Sequence, residues 1–468
     1  MNPARAMMVG GTASHVGKSW MTAAICRWLY RRGVRVAPFK AQNMSNNSYP
    51  CRGGGEIGRA QVAQAEACGL EPTPDMNPIL LKPTSNTGSQ VVVQGKVWDD
   101  LKARDYYERR DFLWQKVEES YARLASQYDF IVIEGAGSIA EINLREMDLV
   151  NLSLALRLQV PVLLVADIDR GGVFASVYGT LALLEPAEAE LVRAFAINRF
   201  RGDPSLFSNG VDMLEQRTAK PCLGVFPFSP IHLDEEDGVA LDNWEPKPED
   251  GPSVAILYFP RISNLTDFRL LTWAAWLRRP VRRQFDVVIL PGSKNTIADL
   301  QWMRSMGFDA WVREQHAGGA QILGVCGGYQ MLGECIEDPD HVESNETSVA
   351  GLGMLPVRTT LQRDKVTAVV RARTAAGKCF DAYEIHMGET LPTADAEPFA
   401  WVDGRPEGTR SGRCAGTYLH GALEHSEVVE EWLGFRPAAA PNKEQSYDEL
   451  ADWFEHSADT ALFENLFL

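Results

Sequence analysis

Residues 10–19 read GGTASHVGKS, between an apolar run, Ala6–Val9, and a helical-looking segment, Ser19–Arg32, closed by Gly33. This is the pattern of a strand, a phosphate-binding loop and a helix. Glycines let backbone N–H groups face phosphate oxygens, and the helix points its positive end at the anion. Lys18 adds a point charge, and Ser19 offers a hydroxyl to magnesium. The ordinary loop has four residues between its glycines. Here five separate Gly11 from Gly17, so the loop is one residue longer while its chemistry is kept. The expected nucleotide-binding residues are Gly11, Thr12, Gly17, Lys18 and Ser19.

Reading outward, short apolar runs alternate with helical segments, which predicts an α/β fold with a mostly parallel sheet covered by helices. After Ala6–Val9 the expected strands are Val34–Phe39, Phe130–Ile133, Val160–Ala166, Ala194–Asn198 and Leu223–Phe226. Glu134 ends the run YDFIVIE, and ligands in open parallel sheets sit at the carboxyl ends of strands. Glu134 is therefore expected to hold magnesium opposite Ser19, with Asp167 of VADIDRGG a weaker metal candidate. For Asp167 and Asp169 the competing expectation is a salt bridge to Arg170. The segment FKAQNMSNNSY (39–49) is dense in amides and hydroxyls, which suits hydrogen bonding to a polar substrate. Its candidates are Lys40, Gln42, Asn43, Ser45, Asn46 and Asn47.

Residues 233–252, LDEEDGVALDNWEPKPEDGP, are acidic, proline-rich and weakly periodic, as expected of an exposed linker between units 1–232 and 253–468. The α/β pattern restarts at VAILYF (254–259), FDVVILPG (285–292) and AQILGVC (320–326). Residues 337–350 read as a surface loop. The stretch 447–468 carries Leu450, Trp453, Phe454, Ala461 and Leu462 at helical spacing, and its acidic polar face favours core packing over membrane docking.

In GAQILGVCGGYQ (319–330), Cys326 stands on a tight glycine turn straight after a strand. A thiol there is exposed at its tip, and the N–H groups of the following helix favour the thiolate. His420, ending the run CAGTYLHG (414–421), is the expected base. His386 in YEIHMG is the competitor. An oxyanion hole is expected from the N–H of Gly327 and one at the PGS turn, where Gly292 follows the strand FDVVIL. A nucleotide site and a thiol hydrolase site on one chain predict amide transfer driven by ATP.

Composition narrows the classes. The 468 residues suffice for two or three full cores, with 45% hydrophobic and 23% charged residues, as in ordinary globular proteins. A net charge of −16 argues against a sequence-independent grip on nucleic acid or anionic membrane. Eight cysteines without paired spacing read as reduced thiols, and no Cys/His pattern suggests zinc. With no apolar run near the roughly 18 residues a membrane span needs, a cytoplasmic location is expected.

Together, GTASHVGKS, FKAQNMSNNS, EGAGSIAEINL, ADIDRGGVFAS, NRFRGD, PRISNLTDF, LPGSKNT, GVCGGYQ, YEIHMG and GTYLHG closely resemble the cobyric acid synthase family, glutamine-dependent amidases of corrin biosynthesis. The motifs run from residue 11 to residue 421. GVCGGYQ alone marks only the class I glutaminase superfamily, whereas GTASHVGKS with FKAQNMSNNS is far more specific. The resemblance implies a dethiobiotin-synthetase-like P-loop domain over 1–232 and a class I glutamine amidotransferase domain over 253–468. It implies ATP and Mg2+ as cofactors, with Cys326 as nucleophile and His420 as base. The implied reaction amidates the b, d, e and g carboxylates of adenosylcobyrinic acid a,c-diamide. The nearest alternative is cobyrinic acid a,c-diamide synthase, against which AQNMSNNS argues. A partition-type ATPase would carry a lysine early in the phosphate loop, and none precedes Lys18. Expected partners are small molecules (the corrin, glutamine and ATP), with no nucleic acid or membrane and with homo-oligomer formation allowed. One departure stands out. Many class I glutaminases have a glutamate two residues after the histidine, where this chain has Ala422. The cobalamin branch lacks it too, leaving His420 without an orienting partner legible in sequence.

Overall fold

A computed structural model describes residues 4–83, 88–102, 106, 108–229, 231, 251–437 and 442–468. In the first unit six strands run parallel, in the spatial order Cys222–Pro227, Val192–Phe200, Val162–Asp167, Arg5–Gly11, Phe130–Glu134 and Val36–Phe39. Successive side chains point to opposite faces. Met8, Ile131 and Leu164 enter one core, and Met7, Val132 and Val165 the other. Burial on both faces is why these strands read as continuous apolar runs. The helix Lys18–Arg31 starts directly after Gly17, which sits at φ 99°. It stops at Gly33, whose N–H donates to Tyr30 O at 2.9 Å.

A smaller sheet, Gln42–Met44, Ile79–Pro83, Gly88–Val93 and Lys96–Lys102, stands beside this one. Its register places Lys82 opposite Gln90.

The second unit has strands in the order Ala275–Leu277, Val254–Leu257, Val287–Leu290, Gln321–Val325, Cys414–Thr417 and Thr409–Ser411, parallel except for the last pair. An antiparallel layer absent from the sequence-based reading is added by Val357–Arg373 and Cys379–Pro392. The run Gln362–Asp364 is exposed within it and interrupts the alternation that would mark a strand. These strands carry Lys365 and His386.

Three expectations need correction or bounding. The helices Lys443–Ser457 and Thr460–Phe467 do not pack with the second unit, where the boundary 253–468 placed them. Their Leu450, Phe454, Phe463 and Phe467 join the core formed by Met21, Ile25 and Trp28 of the first unit. Trp28 meets the rings of Phe454 and Phe463 edge-on at 5.5 and 5.4 Å. The buried apolar face decides the docking, and the Arg27–Asp448 and Arg31–Asp452 pairs at 2.8 and 2.6 Å rim it. Residues 337–350 are no plain surface loop: strands Cys335–Glu337 and Ser348–Ala350 pair antiparallel. The turn between them is held by Asp338, which accepts the N–H groups of Val342, Glu343 and Ser344. The expected linker 233–252 lies outside the described residues except at 251–252. Among the described residues no helix is long and apolar enough to cross a membrane.

Candidate active site

Parallel registers assemble both centres. Val325 pairs with Thr417, so the segments leaving these neighbouring strands carry Cys326 and His420 to the same sheet edge. Cys326 N donates to Thr417 O at 2.8 Å. Cys326 itself sits at φ 51°, ψ −109° between the strand and the short helix Gly327–Leu332, a strained conformation for a side-chain-bearing residue. The turn is tight enough that a Cβ on Gly328 would lie 2.0 Å from Leu290 O. The thiol sulfur lies 3.5 Å from Ile385 O.

His420 is fully buried. Its Nδ1 donates to Asp267 Oδ2 at 2.7 Å, and the other Asp267 oxygen accepts Gly421 N–H at 2.7 Å. Tyr383 stacks on the imidazole with ring centroids 5.3 Å apart. Burial opposes a charge on this ring, but the Asp267 carboxylate and the Cys326 sulfur outweigh it and push His420 up to about 10. Asn264 Nδ2 lies 3.1 Å from Nε2, a contact that serves the neutral ring. Asp267 and Asn264 both fall in PRISNLTDF, and neither was singled out from sequence. The available signal was an acid shortly after the carboxyl end of a parallel strand, in the motif that follows VAILYF.

His386 lies near the thiol but is differently held. Its Nδ1 donates to Gly388 O at 2.7 Å, and it stacks on Tyr418 at 3.8 Å. Burial above all pushes it down to about 4, so it is neutral at pH 7. Gly292 and Gly327 flank the pair: a Cβ on Gly292 would lie 3.2 Å from His420 Cε1, and one on Gly327 3.0 Å from Ser293 N.

In the first unit Val9 pairs with Glu134, which sets the phosphate loop beside that carboxylate. Ser19 Oγ donates to Glu134 Oε1 at 2.8 Å, Lys40 Nζ reaches the same oxygen at 2.9 Å, and Gln64 donates to the other. Burial raises the Glu134 carboxyl, but Lys40 and these hydrogen bonds hold it below the usual carboxylate range. Lys18 is buried, its Nζ donating to Ala13 O at 3.0 Å and Gly137 O at 2.8 Å. A hydroxyl beside a carboxylate oxygen fits magnesium, which takes hard oxygen ligands and completes its shell with water and phosphate. Thr12 N donates to Val165 O at 3.0 Å, so Thr12 is anchored to the sheet. Asp167 pairs with Arg199 at 3.1 Å and only distantly with Arg170, at 3.9 Å, while Asp169 pairs with Arg201 at 2.7 Å. No hydrogen bond among the described residues joins Asp167 to Ser19 or Glu134.

The amide-rich segment is divided among several tasks. Lys40 serves Glu134, and Asn43 Nδ2 donates to Gln61 at 2.9 Å. Ser45 Oγ accepts Asn47 N–H at 3.0 Å, and Asn47 Oδ1 lies 3.4 Å from Leu265 N of the second unit. Gln42, whose side chain accepts the Tyr106 hydroxyl, lines a cavity of about 590 Å3 that runs past Gly137 to Met147. Asn46 instead lines a cavity of about 50 Å3 with Cys326. One strand separates the two spaces: Leu81 walls the larger and Lys82 the smaller.

Comparison with known proteins agrees with this division. Residues 7–237 match the CobQ/CobB/MinD/ParA nucleotide binding domain, and residues 253–428 the CobB/CobQ-like glutamine amidotransferase domain. The cobyric acid synthase of Carboxydothermus hydrogenoformans is 43% identical, over 97% of this chain and 98% of its own. The chain belongs to the cobyric acid synthase family. The cobyric acid synthases of Cereibacter sphaeroides and Parabacteroides distasonis are each 44% identical, over 97% and 96% of this chain and 98% and 95% of theirs. As a member of the cobyric acid synthase family the chain is a glutamine-dependent ligase that uses ATP and carries out amidation in cobalamin biosynthesis. The two expected α/β domain types are both present.

Proposed function

We propose that this enzyme amidates the b, d, e and g carboxylates of adenosylcobyrinic acid a,c-diamide, with ammonia from glutamine hydrolysed at Cys326. The observation that carries this reading is the buried Asp267–His420 pair beside Cys326, whose cavity is lined also by Asn46 and Lys82 of the ATP-binding unit.

In the glutaminase half, Cys326 attacks the side-chain amide of glutamine, and His420 gives its proton to the departing nitrogen. Ammonia leaves, a thioester remains, and water attacks it with His420 as base, releasing glutamate and the thiol. The N–H groups of Gly327 and of the Gly292 turn are assigned to the oxyanion. In the synthetase half a carboxylate must first be activated, because oxide is a poor leaving group. Phosphoryl transfer from ATP gives an acyl phosphate and ADP; ammonia displaces phosphate and forms the amide. Lys18 steadies the charge on the transferred group, and Ser19 and Glu134 would hold Mg2+, which supplies further charge neutralisation. The cavity of about 590 Å3 is assigned to the corrin, because its wall residue Gly137 accepts the Lys18 hydrogen bond. Its rim exposes Met44, Ile142 and Leu144 for contact with an apolar ring face.

The test is mass spectrometry of the enzyme's products from the a,c-diamide, ATP, magnesium and glutamine. Carboxylate-to-amide replacement stopping at four supports the reading. No change there, with two amidations of cobyrinic acid instead, moves the assignment to the a,c-diamide enzyme.

A further inference from the structure

The small cavity of Cys326 crosses the seam between the two units, and its wall is cationic. Lys82 enters from the first unit, and Lys294 and Lys365 from the second. Lys82 Nζ donates to Glu56 Oε2 at 2.9 Å and to Ser48 Oγ at 2.7 Å, and Lys365 takes the other Glu56 oxygen. Lys294 Nζ donates to Gln90 Oε1 at 3.2 Å, across the same seam. Glu56 is 1% exposed and Lys82 3%.

Three amines meet two carboxylates here: Glu56 bonds Lys82 and Lys365, and Glu343 interacts with Lys294. Burial opposes ionisation of Glu56, but Lys365 and Lys82 hold its carboxyl well below the usual range, so it stays anionic between two cations. Glu343, on the opposite wall, is pushed up to about 7 by burial and is half neutral at that pH. His386 is neutral, and His420 carries its charge against Asp267. Burial, only partly offset by Glu56, pushes Lys82 down to about 7, with Lys365 and Lys294 lowering it further, so at that pH it is about half charged and gains charge as the pH falls. The sites for nitrogen release and nitrogen use lie on the two faces of the Ile79–Pro83 strand, and Lys82 projects from that strand into the thiol cavity.

We propose that Lys82, Lys294 and Lys365 form an electrostatic filter at the exit from Cys326, passing neutral ammonia toward the synthetase unit and excluding ammonium. Only neutral ammonia has the lone pair that attacks an acyl phosphate. A nitrogen that picked up a proton beside these amines would meet like charges, least screened at Lys82, whose side chain is buried. The wall therefore disfavours the protonated nitrogen relative to neutral ammonia. Glu56 clamps two of the three lysines at the seam, which explains an acid buried so deeply with no part in either reaction. This inference rests on the proposed glutamine hydrolysis at Cys326.

The experiment measures amide formed per glutamate released across neutral pH, in the full-length wild-type enzyme and in Lys82→Met, Lys365→Met and Lys82→Arg. Amidation driven by added ammonium chloride is followed alongside. Severalfold loss of the amide-to-glutamate ratio in both methionine variants, worsening toward acid pH, supports the filter when ammonia-driven amidation persists and Lys82→Arg stays coupled. An unchanged ratio in both methionine variants overturns it. A raised KM for glutamine at unchanged ratio also overturns it, because the lysines would then bind the glutamine carboxylate. Should Lys82→Met fail to fold, Lys365→Met carries the same comparison from the other unit. Wild-type enzyme that releases no glutamate would instead refute the underlying reading.

Discussion

Asp267 holds His420 Nδ1 at 2.7 Å with one carboxylate oxygen and the N–H of Gly421 at 2.7 Å with the other. A single carboxylate thus fixes both the ring tautomer and the backbone that carries it. Where Ala422 leaves the second position after the histidine without an acid, Asp267 supplies one from 153 residues upstream.

Replacing Asp267 by Asn removes the charge that raises His420 and leaves a hydrogen-bonding group of the same shape. The His420 pKa should fall from about 10. The alkaline limb of the kcat/KM profile for glutamine should move to lower pH, because the imidazolium loses its proton earlier. A rate loss on the order of 10²–10⁴ is expected, as for other histidines deprived of their acid. A pH profile identical to wild type would remove Asp267 from the mechanism.

Cys326→Ala should abolish glutamine-driven amidation while added ammonia still supports it. Product analysis with each nitrogen source decides this, and loss of both would contradict the division of labour between the units.

The synthetase site should respond differently. Lys18→Ala should stop amidation from either nitrogen source. Glu134→Gln should lower ATP-dependent amidation by at least roughly 10–100-fold, the cost of losing an outer-shell partner of a metal ligand, because it neutralises the carboxylate proposed to hold Mg2+. Steady-state kinetics with ammonia as donor would show the effect, and near-normal rates would take the phosphate loop and Glu134 out of the reaction.

Phe454→Ala should destabilise the ATP-binding unit although the residue lies near the C-terminus. Its ring is fully buried against Trp28, Phe226 and Phe463. A loss of about 3–5 kcal/mol is expected for such a truncation. Denaturant titration with nucleotide present and absent would locate the transition. Unchanged nucleotide-linked stability would place these helices elsewhere in the energetics.

Much of the fold was legible because the central parallel strands are buried on both faces. Phe130–Ile133 and Ile322–Val325 read as unbroken apolar runs for that reason. The antiparallel pair Val357–Arg373 and Cys379–Pro392 was not, since exposed and charged residues break its period at Gln362–Asp364. Nor was the docking of the last two helices, because an amphipathic face records that it needs a partner without saying which.

The sequence by itself determined the local chemistry: a phosphate loop at Gly11–Ser19, a cysteine on a glycine turn, and a histidine at a strand end. These depend on short-range geometry, where spacing dictates which atoms can turn toward a ligand. Only the tertiary structure decided that Asp267 orients His420, that Asn46 and Lys82 line the cavity of Cys326, and that Glu56 joins Lys82 to Lys365. Those groups come from separate strands and loops brought together by sheet register and by burial at the seam, and nothing in their local sequence fixes which distant residue they meet.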